Sequence, residues 1–76
     1  MIVSSTYKDG YTVQLCCIPD IEAKQVEFSV HIYKGKGSFD PPKFEMPDQG
    51  YHVFPTWPEA VDFFNKHYAI LVNGGK

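Results

Sequence analysis

"IVSSTYKDGYTVQLCCI", residues 2–18, sets the architecture. Two β-prone runs flank Asp9-Gly10. Asp-Gly between such runs is a strong hairpin signal, because both residues accept the positive φ of a tight type I′ turn. With Asp9 and Gly10 as the loop, Lys8 faces Tyr11, Thr6 faces Val13, Ser4 faces Leu15 and Ile2 faces Cys17. That register puts Val13, Leu15 and Cys17 on the expected core face and Thr12, Gln14 and Cys16 on the other.

Beyond the hairpin, Pro19 is expected to end the second strand, and the polar run "PDIEAKQ" (19–25) to form a turn. "VEFSVHIY" (26–33) alternates strictly: Val26, Phe28, Val30 and Ile32 face one way, Glu27, Ser29, His31 and Tyr33 the other. The stretch 34–50 holds three Gly and three Pro in 17 residues and is expected to be a long loop, with "KFEM" as a short added strand at most. "GYHVF" (50–54) predicts a fourth strand leading into a helix.

The helix is signalled by "FPTWPEAVDFFNKHY" (54–68). Thr56 followed three residues later by Glu59 fits a capping box, and proline is tolerated in a first turn. Phe64 centres an apolar stripe of Trp57, Ala60, Val61, Tyr68 and Leu71, with Glu59, Asp62 and Lys66 opposite. Gly74, after Asn73, is the expected stop. Phe63 and Ile70, with His67 beside them, form a shoulder on the stripe. A strand over "AILV" is the weaker alternative, because no turn residue separates it from the helix. The expected fold is therefore α+β: one domain over residues 1–76, a four-stranded antiparallel sheet with one C-terminal helix on one face. Trp57, Phe64 and Phe28 are the expected core anchors.

Composition narrows the function classes. A chain of 76 residues buries only about 60% of its unfolded surface, and twelve large aromatic rings are a plausible filling for so small a core. The net charge is −2, all seven basic residues are lysines, and arginine is absent. Arginine supplies the bidentate contacts to phosphate and guanine, so nucleic acid is not the expected partner. No run is long and apolar enough to span a membrane. The N-terminal residues show no secretory pattern, and Cys16 and Cys17 fall short of a disulfide framework, so a reduced, cytoplasmic protein is expected. Size and the lack of targeting signals suit a bacterial or phage accessory factor.

No motif names an activity. His31, His52 and His67 lie on three different elements, and Cys16 and Cys17 diverge along one strand, so no metal site or cofactor is expected. Cys16 and His31 are the one thiol–imidazole pair that shares a face, but no nucleophile motif surrounds them and catalysis is not expected. The outer sheet face, with Tyr7, Gln14, Ser29, His31 and Tyr33, resembles an ordinary solvated surface or a base-stacking platform, the latter assisted by Lys34 and Lys36. The loop presents Phe39 and Phe44 around Pro41-Pro42, a stiff segment suited to docking or to packing back on the core. The expected role is a non-enzymatic protein-interaction domain that binds another protein or a second copy of itself. Its candidate contacts are Tyr7, His31, Tyr33, Phe39, Phe44, Phe63, His67 and Ile70. The alternative is weak binding of single-stranded nucleic acid on the outer face.

Overall fold

The computed structural model describes residues 1–35 and 43–74. Four strands, β1 (Ile2–Lys8), β2 (Tyr11–Asp20), β3 (Gln25–Lys34) and β4 (Gly50–Phe54), form one antiparallel sheet in the order β1-β2-β3-β4. Helix α1 (Trp57–Val72) follows and covers one face. This is the expected α+β architecture. Among the described residues, no helix is long and apolar enough to cross a membrane.

The Asp9-Gly10 turn has positive φ at both residues, 54° and 88°. It fixes Lys8↔Tyr11, Thr6↔Val13 and Ser4↔Leu15 as read from the sequence. The register then slips. A bulge between Ile2 and Ser4 pairs Ile2 with Cys16 rather than Cys17. An extra residue on one strand leaves the ladder locally unpaired and bends the edge, which is how bulges blunt open strands.

Pro19 does not end β2. The strand continues to Asp20, with Pro19 paired to Val26 and Asp20 to Gln25. The ladder of β1 ends at Ile2↔Cys16, and Met1 still exchanges two hydrogen bonds with the Cys17 backbone, at 2.9 and 2.8 Å; beyond Cys17 β2 is an edge strand, where a residue without an N–H is tolerated. The Asp20 carboxylate accepts the Ala23 N–H at 3.1 Å, and Lys24 takes a left-handed φ of 53° to close the turn. "KFEM" adds no strand; Phe44 and Met46 instead pack into the core. Lys34 belongs to β3, so the long connection begins at Gly35.

The core joins Tyr11, Val13, Leu15, Val30 and Ile32 of the sheet to Ala60, Phe64 and Leu71 of the helix, with Met46 from the connection. Each large apolar side chain buried here contributes about 1.5–3 kcal/mol. Cys17 is only half-buried, at the margin of this face.

The buried stripe of α1 is Ala60, Phe64, His67 and Leu71, so its centre is rotated toward His67 and away from Trp57. Trp57 is 40% exposed and meets a half-buried Phe28 edge to face at 5.4 Å, so neither is the deep anchor expected. Both lie where the long β2–β3 hairpin runs past the start of the helix. Tyr68 is also exposed, stacked on Phe64 at 5.9 Å. The helix terminates as expected: the Asn73 N–H reaches the Ala69 carbonyl at 3.0 Å, and Gly74 takes φ 71°. The start differs from a capping box, because the Thr56 hydroxyl donates to the Glu59 carboxylate at 2.9 Å and its oxygen accepts no N–H of the first turn. No side chain in the last turn of α1 is basic, but Lys8 Nζ donates to the Val72 carbonyl at 2.9 Å and brings a cation to the negative end of the helix dipole.

Candidate interaction surface

Alternation along each strand decides what the uncovered sheet face carries. Tyr7 and Ser5 come from β1, Thr12, Gln14, Cys16 and Ile18 from β2, Glu27, Ser29, His31 and Tyr33 from β3, and Tyr51 and Val53 from β4. Tyr51 stands directly across from His31, and Val53 from Ser29. The rings join up. His31 packs against Tyr33 at 4.5 Å and meets Tyr51 edge-on at 5.9 Å. Tyr51 and Val53 are 53% and 50% exposed, and Ile18, two strands away on β2, is exposed on the same face. Thr12 and Ser29 are fully buried under their larger neighbours. The Thr12 hydroxyl donates to the Gly35 carbonyl at 2.8 Å, whereas the buried hydroxyls of Ser29 and Tyr7 have no partner among the described residues.

A solvated sheet face ordinarily alternates to polar and charged residues. Here no lysine projects from it among the described residues; Asp20 and Glu27 are its charges, both toward the β2–β3 turn. Lys34 points to the helix side, where its Nζ pairs with Glu45 at 3.3 Å. That hydrogen bond and charge hold the Glu45 carboxyl below its ordinary range. Lys36 lies outside the described residues, so the phosphate contacts expected of the pair have no described counterpart on the outer face. Cys16 and His31 do share the face, as diagonal neighbours, but the His31 ring packs on Tyr33 and Tyr51, and no pocket opens among the described residues.

The sequence-selected contact residues separate into groups. Tyr7, His31 and Tyr33 share the outer face. Phe44 packs tilted on Tyr11 at 5.7 Å, on the helix side. Phe39 lies outside the described residues. Phe63 and Ile70 are half-buried against the core, and His67 is fully buried. The Phe63 ring is enclosed by His67 at 4.2 Å, His52 at 4.7 Å and Phe54 at 5.0 Å, so this shoulder is part of the fold.

His67 is held at both nitrogens. Nδ1 donates to the Phe63 carbonyl at 2.9 Å, and Nε2 meets the Asp48 carboxylate at 3.0 Å. Asp48 sits at φ 57°, and its carbonyl accepts from His52 Nε2 at 2.7 Å. One aspartate therefore ties the connection to both α1 and β4. The residues that sequence reasoning missed on the outer face are Tyr51 and Val53. The signal was there: they alternate with Gly50, His52 and Phe54, and an adjacent strand places them beside His31 and Ser29. No family model, curated protein or solved structure matches this chain.

Proposed function

We propose that this chain is a non-enzymatic protein-interaction domain that acts through its outer sheet face. The observation that carries the reading is the composition of that face: a connected Tyr33–His31–Tyr51 group, an exposed Val53 on the same strand as Tyr51, an exposed Ile18 on β2, and no lysine among the described residues. An uncovered apolar patch of this kind marks a contact surface. Aromatic rings with a polar tip are favoured at protein interfaces because they bury much area and keep a hydrogen-bonding group. The same rings suit base stacking, but a nucleic-acid surface draws its affinity from cations along a phosphate track, and Glu27 gives this face the opposite sign.

The test is capture by the immobilised chain, comparing the parent with Val53→Lys. The expected result is that the parent retains a polypeptide, its own kind included, that Val53→Lys loses, and that neither binds a single-stranded oligonucleotide at low salt. Oligonucleotide binding that falls steeply with salt, or polypeptide capture indifferent to Val53, refutes the reading.

A further inference from the structure

On the helix side, away from the outer face, the fully buried His67 is bonded at both ring nitrogens, and both partners are groups that accept. The Phe63 carbonyl lies 2.9 Å from Nδ1 and has no proton to give, so Nδ1 carries one. Across the ring, Nε2 lies 3.0 Å from the Asp48 carboxylate. A neutral imidazole has one N–H and one lone pair. With the N–H spent on Phe63, it would aim its lone pair at a carboxylate oxygen. The contact is therefore a hydrogen bond only while the pair holds one proton more than a neutral imidazole and a carboxylate hold together. The carboxylate is half-exposed and the better solvated end, so that proton sits on the ring, and an imidazolium lies between two acceptors.

We infer that the Asp48–His67 contact is a proton-controlled latch, closed while the pair holds that proton and opened by its loss, which frees the stretch 43–49 from α1. The stretch is part of the core: it buries Met46 and lays Phe44 on Tyr11. The second histidine at Asp48 makes no such demand. His52 Nε2 donates to the Asp48 carbonyl at 2.7 Å, and a neutral ring supplies that one N–H.

Burial works against a charged ring, and the charge-assisted bonds to Asp48 and Phe63 work for it. No other described charge is placed to take over either part. From the connection, Glu45 is committed to Lys34 of β3, and Tyr11 of β2 donates to the same carboxylate. From β4, His52 reaches His67 only across the Phe63 ring. From β1, Lys8 ends on the Val72 carbonyl. On α1 itself, Asp62, Lys66 and Tyr68 are exposed.

Counting protons gives the direction. Above about pH 6.5 an unfolded chain presents a neutral imidazole and a carboxylate. The closed latch holds one proton more, so folding takes up a proton there and stability falls as pH rises. Between about pH 4 and 6.5 the folded and unfolded pairs hold equal numbers, and the latch contributes in full.

Two measurements on the full chain test this. Nitrogen resonances of the histidine rings show which nitrogens carry hydrogen. At about pH 7, both nitrogens of His67 are expected to be protonated; a bare nitrogen there overturns the latch. The second measurement is urea unfolding of the parent and Asp48→Asn across about pH 6 to 9. Asparagine tolerates the left-handed backbone of this position and can turn its amide N–H toward Nε2, which then accepts as part of a neutral ring. The other histidines titrate alike in the two chains. Relative to Asp48→Asn, the parent is expected to lose up to about tenfold in its folding constant per pH unit above the imidazole range. Parallel curves overturn the latch. The ring resonances of the parent decide the matter even if Asp48→Asn fails to fold.

Discussion

Asp48→Ala is the most informative single change in the fold. His67 is fully buried, and its Nδ1 is already committed to the Phe63 carbonyl, so Asp48 is the partner of Nε2. Removing the carboxylate leaves a buried ring nitrogen without a partner, a loss of about 1–3 kcal/mol. The Coulombic share is small, because the Asp48 side chain is 49% exposed and screened by water. Alanine also has to hold the left-handed φ of 57° that aspartate tolerates, which costs about 1 kcal/mol more. The expected total is about 2–4 kcal/mol, a large part of the roughly 4–11 kcal/mol that a domain of this size possesses. Urea unfolding followed by far-ultraviolet circular dichroism measures it. Repeating the substitution in a His67→Leu background isolates the hydrogen bond: there Asp48→Ala retains only the backbone cost, about 1 kcal/mol. Equal losses in the two backgrounds, or a loss below about 0.5 kcal/mol in the parent, refute the claim that the Asp48–His67 bond fastens the connection to the helix.

Other outcomes follow from single contacts. Phe64→Ala, in the middle of the buried stripe, is expected to cost about 3–5 kcal/mol in the same unfolding assay. Lys8→Met, which removes the cation from the Val72 carbonyl, costs about 0.3–1 kcal/mol and frays the last turn of α1, visible as faster amide exchange there. Glu45 is held below its ordinary range by Lys34, so its contribution is present above the unfolded carboxylate range and is lost as pH falls through the lower folded value. Lys34→Met should move the Glu45 titration, followed by side-chain carboxyl resonances, upward toward the ordinary value.

The strand pattern was legible because its determinants are local. Asp9-Gly10 names the turn type, the turn type fixes the register, and a period of two then sorts every residue of β2 and β3 onto a face. What was not legible depended on neighbours. Pro19 reads as a terminator because the sequence does not say that pairing with the N-terminal segment stops at Cys17, which turns the rest of β2 into an edge. His67 reads as a flank residue because a histidine in an apolar stripe has no visible partner in sequence; Asp48, 19 residues earlier, supplies it. Size assigns Trp57 to the core, yet at the first position of α1 it stays 40% exposed and reaches only the half-buried Phe28, while Ala60 one turn on is fully buried. Thr56 and Glu59 have the spacing of a capping box and bond each other instead. On the outer face, Tyr7, His31 and Tyr33 were read correctly from alternation alone. Their union with Tyr51 required knowing that β4 lies beside β3 in the register His31↔Tyr51.

The two faces of the sheet solve different problems with similar residues. On the helix side, aromatics are closed by the fold itself: Phe63 is ringed by His52, Phe54 and His67, and Phe44 lies on Tyr11. A charge placed at Phe63 therefore attacks the fold before it reaches any partner. On the outer side, Tyr51 and Val53 are half open, and the rings they adjoin are packed only sideways on one another. A charge placed at Val53 meets water in the single chain and an apolar surface only when something covers the face. That difference makes Val53→Lys a probe of the proposed association and Phe63→Glu a probe of stability, because the proposed contact surface is the side of the sheet that the helix does not occupy.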